Sequence, residues 1–386
     1  MEWIALKSWV EVSGARLEEN FRAIRAVAGS SVETLAVIKA NAYGHGAGIC
    51  APVLVEAGAR WLGVGDVEEG AAVRSALAHT GVSLLVMSGM EIADAAGMVA
   101  HGLTPVAWTA EHVTAMERAG RAAGTRVNVH LEIETGMARQ GVAVGTDLAR
   151  VLERLAKSRW VQCEGVMTHL CCAEVAGAAA TKAAKERFAA ALEQVLAAGV
   201  KPEFVHLGNS SAVDEGSTMA WVRAHAKAAG AKAMVRTGIA LYGHCLPVEG
   251  ATGALAPRLS PAMEWKTRVI GVREIEAGTT VGYGATFVAP HEMRLALLPV
   301  GYSDGFWRAA SSGVGNGWVM IAGKKAAVVG RVSMNLTVVD VTGMAVNEGD
   351  EVMLLGDGVS AEDHAGWSGT IAYEVLCGVR GRFVKV

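Results

Sequence analysis

The chain has 386 residues, 52% of them hydrophobic, with 35 basic and 38 acidic side chains giving a formal net charge of −3. This length leaves room for two or three domains around a large core, and the near-balanced charge, without a basic block, excludes a nucleic-acid or anionic-membrane surface as the organising feature. Six cysteines in so long a chain make no disulfide framework and predict reduced thiols in a cytoplasmic protein.

The opening MEWIALKSWVEV has its charges in the wrong places for a signal peptide, and no apolar run reaches the roughly 18 residues of a membrane span. Residues 15–28 place apolar side chains at helical spacing and predict a helix. Strand-like apolar runs follow at 35–39, 61–65, 83–88, 103–108, 126–133, 161–169, 203–208 and 234–241. Ala-rich helical stretches separate them, the longest near 176–199. Eight such alternations predict an α/β fold: a (β/α)8 TIM barrel over residues 1–250. A doubly wound sheet is the alternative, but no GxGxxG turn follows an early strand. Around 245–262 the periodicity is lost and three of the eight prolines gather, which reads as a linker. Beyond it, runs such as EWKTRVIGVREI, LALLPVGY, GWVMIAGKKAAVVGRV and DEVMLLG predict a smaller all-β domain, 251–386.

Lys39 ends the first buried run and is followed by the small-residue turn ANAYGHG. A lysine at the C-terminal end of a barrel strand stands at the mouth, where barrel enzymes place their chemistry. Partly desolvated, it becomes an amine nucleophile able to condense with a carbonyl compound such as pyridoxal phosphate. The plain alternative is a lysine that snorkels to solvent. Cys171 and Cys172 beside His169 raise the question of a metal, but no other Cys/His pair has ligand spacing. They read as packing residues, and no metal is expected.

Three stretches, AVIKANAYGHG (36–46), VRTGIALYG (235–243) and VGYGAT (281–286), resemble the alanine racemase family. THL (168–170), HLGNSSA (206–212), VGYSDGF (300–306) and GRVSMNLTVVD (330–340) extend the likeness over essentially the whole chain. The resemblance implies a fold-type III pyridoxal 5'-phosphate enzyme, a barrel followed by a β domain. It makes Lys39 the lysine that carries the cofactor and Tyr43 a phosphate contact, joined by Ser210, Gly238, Ile239 and Tyr373. The loops at 208–212 and 237–240 follow barrel strands 7 and 8, where such barrels hold phosphate; Ser210 also suits a helix N-cap.

By the same likeness Arg236 faces the pyridine nitrogen, His169 packs on the ring, and His206 partners the arginine. An arginine cannot receive a proton there, which suits a racemase rather than a decarboxylase. Arg139 matches the group that engages the substrate carboxylate, a task suited to guanidinium geometry. Tyr283 matches the second catalytic base beside Lys39, with Arg236 and His169 as the positive charge near it. Tyr302 and Met334 match residues lining the substrate pocket. In the family these three come from the partner subunit, so a homodimer with shared sites is implied, with an amino acid as the small-molecule partner and no nucleic acid or membrane. Three positions depart from the pattern. Glu132 stands where many members carry a carbamylated lysine that orients the arginine, Asn335 where an aspartate is usual, and Ser333 where a cysteine is common. The expected activity is interconversion of L- and D-alanine. A broader-specificity racemase, a fold-type III decarboxylase and a non-catalytic cofactor-binding protein are the alternatives.

Overall fold

A computed structural model describes residues 7–77 and 80–386. The first six residues of the opening segment lie outside the described ones. The chain divides into two units: 15–42 with Cys50–Ser260, and the rest, chiefly Pro261–Val386 with Tyr43–Ile49.

Strand β1 is Ser8–Val12, and the barrel strands are β2 (Val32–Val37), β3 (Trp61–Val64), β4 (Ser83–Val86), β5 (Thr104–Ala107), β6 (Val127–Glu132), β7 (Val161–Met167), β8 (Phe204–His206) and β9 (Lys232–Thr237). β2 to β9 form a closed parallel barrel in chain order, confirming the eight predicted strands. The seam closes between β9 and β2, with Leu35 opposite Arg236 and Ala36 opposite Thr237. Parallel strands covered by helices are buried on both faces. Accordingly Leu35, Ala36, Leu62, Val64, Leu84 and Leu85 are fully buried, each of the larger ones stabilising by about 1.5–3 kcal/mol. Helices Ala110–Ala123 and Thr146–Lys157 bury their apolar stripes against the strands. The first is capped by Thr109, whose side chain accepts from His112 N.

The other unit is built on a six-stranded sheet in the order Lys324–Ala327, Trp318–Ile321, Glu351–Leu355, Met263–Arg268, β1, Arg382–Lys385. Although β1 precedes the barrel in the chain, it pairs antiparallel with Met263–Arg268 and parallel with Arg382–Lys385. Val10 and Val12 face inward from β1, and Trp265 is fully buried beside them in sequence register. A three-stranded sheet joins Gly271–Ile275, Met293–Leu298 and Thr337–Asp340. The all-β expectation holds with one addition, the helices Ala361–Ser368 and Ala372–Gly378. Ser360 and Asp363 form a capping box at the start of the first. Among the described residues no helix is long and apolar enough to cross a membrane.

Candidate active site

Lys39 does not end a strand, as the sequence suggested; β2 stops at Val37. The lysine instead opens a turn in which Ala40, Asn41, Ala42 and Tyr43 all have left-handed φ of 52° to 58°. For residues with a Cβ this costs about 1–2 kcal/mol each and persists only where neighbours hold it. The braces are identifiable. Ala42 N donates to Ile38 O at 2.8 Å. The Glu69 carboxylate accepts from Asn41 N at 3.0 Å and from Gly65 N at 2.8 Å. Glu69 itself is set by Asp66, which caps its helix. Sequence reasoning missed Glu69 because it reads as an ordinary acidic residue of a first helical turn. Lys39 is left half-buried at the end of this device.

Removing the Glu69 carboxylate leaves two backbone N–H groups without their acceptor. Glu69→Ala is expected to cost about 1–3 kcal/mol of stability and to lower kcat by loosening the Lys39 turn. Thermal melts and steady-state kinetics check this; an unchanged kcat would contradict the bracing role.

Arg236 lies near the C-terminal end of β9 and is 2% exposed. Its Nη2 donates to Thr168 O at 2.8 Å and to His169 Nδ1 at 3.1 Å, and its Nη1 to His206 Nδ1 at 3.3 Å. Both histidines use Nδ1 as acceptor and so carry their proton on Nε2. His206 Nε2 then donates to His130 Nδ1 at 3.0 Å. That leaves the proton of His130 on Nε2, which lies 3.4 Å from Glu164 Oε2. Gly165 makes the room, because a Cβ there would lie 2.6 Å from the His130 ring. His130 and Glu164 carried no motif, and only their convergence inside the barrel reveals them.

Burial, followed by the charges of Arg236, Arg139 and Lys39, pulls His169 down to about 3. Burial likewise lowers His206 and His130. His169 is therefore neutral and cannot supply the positive charge that the sequence reading assigned to it. Arg236, drawn down by burial to about 10, remains a cation at neutral pH. The unfolded chain takes up protons on these histidines below pH about 6.5, whereas the folded chain resists. Stability should thus fall as pH drops from 6.5, by about 1.4 kcal/mol per unit for each histidine. Melting midpoints between pH 8 and 5 check the slope, which should be shallower by one proton in His206→Asn. Equal slopes would contradict the assignment.

Ser210 is not the helix cap that its sequence position also allowed. Asn209 caps the helix Ser210–Glu215, accepting from Ala212 N at 3.0 Å. Ser210 Oγ instead accepts from Gly238 N at 3.1 Å and Ala240 N at 3.4 Å, tying the loops after β8 and β9 together around Gly238 and Ile239. Tyr242 Oη donates to Val37 O at 3.0 Å, fastening the same turn to the end of β2.

Glu132 is buried at the end of β6, and burial raises its pKa. Its Oε2 accepts from Gln140 Nε2, which also donates to Met87 O at 2.9 Å. Gln140 rather than the exposed Arg139 donates to the carboxylate; the charges of Arg236 and Arg139 act on it at longer range.

In the β unit, Tyr43 and Tyr373 bring their rings to 6.0 Å. Burial, with the charges of Tyr373 and Cys377, holds the Tyr43 phenol above its ordinary range. Gly44, with φ +79°, passes so close to Leu376 that a Cβ would lie 2.1 Å from its carbonyl oxygen. Three loops abut elsewhere in this unit. The Tyr283 turn packs on Gly330 and Arg331. Tyr302 N donates to Ser333 O and Ser303 N to Met334 O, each at 3.0 Å. Asn335 Nδ2 donates to Ser303 Oγ at 2.7 Å, a bond that an ionised aspartate could not give. Together the loops present Tyr283, Met334 and Tyr302 at 71%, 55% and 44% exposure.

Whether these residues suit pyridoxal phosphate can be judged from one atom. Arg236 Nε is a buried donor without a hydrogen-bond partner. An unpaired buried donor costs about 1–3 kcal/mol. An aromatic nitrogen acceptor would satisfy it, and the Ser210–Gly238 loops and the half-buried Lys39 supply the remaining functions. The residues fit the group.

Comparison with known proteins supports the same reading. The family models "Alanine racemase, N-terminal domain" and "Alanine racemase, C-terminal domain" match residues 12–245 and 262–386. An alanine racemase of Symbiobacterium thermophilum is 38% identical over 97% of this chain and 95% of its own. The crystal structure of alanine racemase from D-cycloserine-producing Streptomyces lavendulae superposes with a TM-score of 0.88 at 32% identity, covering 100% of this chain and 97% of that one. The Bartonella henselae enzyme, solved with covalently bound pyridoxal phosphate, gives 0.81 at 25% identity over 98% and 99%. Fold and site thus define a pyridoxal-phosphate-dependent isomerase of the barrel type. Within that class, the chain belongs to the alanine racemase family.

Proposed function

We propose that this chain interconverts L- and D-alanine with two bases, Lys39 and Tyr283, in sites shared between two copies of the chain. The observation that carries the reading is Arg236: a buried donor, cationic at neutral pH, with one N–H left free. Bound against it, pyridoxal phosphate would acidify the Cα–H of an amino acid joined to its carbonyl carbon. Lys39 would anchor that group covalently, and Arg236 Nε would donate to its ring nitrogen. His169 would pack on the ring, with His206 holding the guanidinium in place. Ser210, Gly238, Ile239, Tyr43 and Tyr373 would hold its phosphate. Because the Arg236 guanidinium would keep its proton, it would leave a ring nitrogen held there unprotonated and moderate its electron withdrawal. That favours returning the proton to Cα over transamination or decarboxylation. Lys39 Nζ would handle the proton on one face and Tyr283 Oη on the other, while Arg139 holds the substrate carboxylate.

Exposure within a single chain supports the shared site. Tyr283, Met334 and Tyr302 are large side chains left open to solvent on adjoining loops, as residues that serve a second copy would be. In that role Met334 and Tyr302 would line the substrate pocket. Six cysteines, none of them in a disulfide, support a reducing, cytoplasmic setting.

The test mixes two inactive variants. A Lys39→Ala chain and a Tyr283→Ala chain each lack one base, but half of the sites in their heterodimer contain both. With subunit exchange verified by mass, activity on L-alanine should recover to about a quarter of wild type if exchange is random. Exchange without recovery would contradict the shared site. Chiral chromatography across the common amino acids, run on the wild type, separates an alanine racemase from a broader one. Release of carbon dioxide would mark a decarboxylase.

A further inference from the structure

The loop after β7 carries two cysteines that racemisation does not use. Cys171 is exposed and Cys172 half-buried, so the packing role expected for both fails for Cys171. Their sulfurs lie 3.7 Å apart, the Cys172 thiol donating to the Cys171 sulfur. The loop is held in place, since Thr181 Oγ1 donates to Cys172 O at 2.9 Å and Val175 N to the same oxygen at 3.4 Å. It also leaves directly from the Arg236 cluster, where Thr168 O and His169 Nδ1 both accept from that guanidinium. Donation to the Cys171 sulfur raises the pKa of Cys172, and Cys171 is the more exposed of the two.

Among the described residues, no group of three or more Cys, His, Asp or Glu side chains could hold a metal ion. Two thiols alone match a ligand with two thiol-reactive valences. We propose that Cys171 and Cys172 form a vicinal dithiol site at the barrel mouth that chelates monosubstituted trivalent arsenicals, and that its occupancy blocks the active site. The chemistry balances without redox. An arsenical R–As=O forms two As–S bonds as its As–O bond is lost, and both thiol protons leave with the oxygen as water. Arsenic stays trivalent throughout. A single thiol can fill only one of the two valences, so a lone cysteine forms a labile adduct and the pair a chelate.

The blocking half of the proposal rests on the racemase reading; the chelation half does not. The experiment titrates holoenzyme with phenylarsine oxide and follows intact mass and racemisation in parallel. One arsenical should bind per chain, with at least about a tenfold loss of activity. 2,3-Dimercaptopropanol should reverse both effects, whereas 2-mercaptoethanol should not. Cys171→Ser and Cys172→Ser should each lose the tight adduct yet keep activity within about twofold. An adduct that survives in both variants, or that the monothiol removes, overturns the site. A dithiol-reversible adduct with activity intact overturns the blocking. Failure of the racemase reading would show separately, as absent racemisation before any arsenical is added.

Discussion

Lys39→Ala should abolish racemisation, by more than about 10³-fold, and with it the visible absorbance of bound pyridoxal phosphate. The expected effect is large because the proposed site gives one amine two roles, covalent anchor and base. The left-handed turn from Ala40 to Tyr43, braced by Glu69, fixes where the residue at position 39 points. The turn does not depend on the lysine side chain for those braces, which are backbone N–H groups on a carboxylate. The variant should therefore fold, with the circular dichroism and melting midpoint of the cofactor-free wild type. A variant that keeps both its colour and its activity would remove Lys39 from the site. Lost activity with an intact visible spectrum would separate the two roles and leave anchoring to another residue.

Much of the architecture was legible because buried parallel strands write themselves as apolar runs. LAVI, WLGV and SLLV are each bounded by breaks, and the alternation with Ala-rich helices gives the count of eight. Lys39 was legible as a residue, yet its conformation was not. Alanine favours right-handed helix, and nothing in KANAY signals four left-handed residues. Contacts from distant segments impose that turn. The two late helices are short and lie amid tight turns, which hides their period even though SAED carries a capping signal. At the site, His169 and His206 could be named from their motifs, but their neutrality could not. It follows from burial around Arg236, which only the closed barrel creates. The His130–Glu164 end of that chain joins neighbouring strands whose residues are 34 apart in sequence, with no local pattern to link them.

The two-base assignment carries the second large effect. A single base would have to serve both faces of a planar centre, and a group clamped at ring and phosphate leaves little space for such a swing. Lys39 comes from the barrel and Tyr283 from an exposed loop of the β unit; the proposed dimer would let the two approach from opposite sides. A phenol titrates near about 10 in water, so a tyrosine base needs a nearby cation to act at neutral pH. His169, being neutral, cannot be that cation. Tyr283→Ala should then be a one-sided lesion. Net racemisation should fall by about 10²–10⁴-fold, the range for loss of a general base, while the visible spectrum of the cofactor stays.

The most direct test follows the α-hydrogen of each enantiomer of alanine in deuterated water with the Tyr283→Ala enzyme. The two-base site predicts that D-alanine, served by Lys39, continues to exchange its α-hydrogen while L-alanine does not. Equal loss of both exchange reactions in a protein that retains its cofactor spectrum would contradict it.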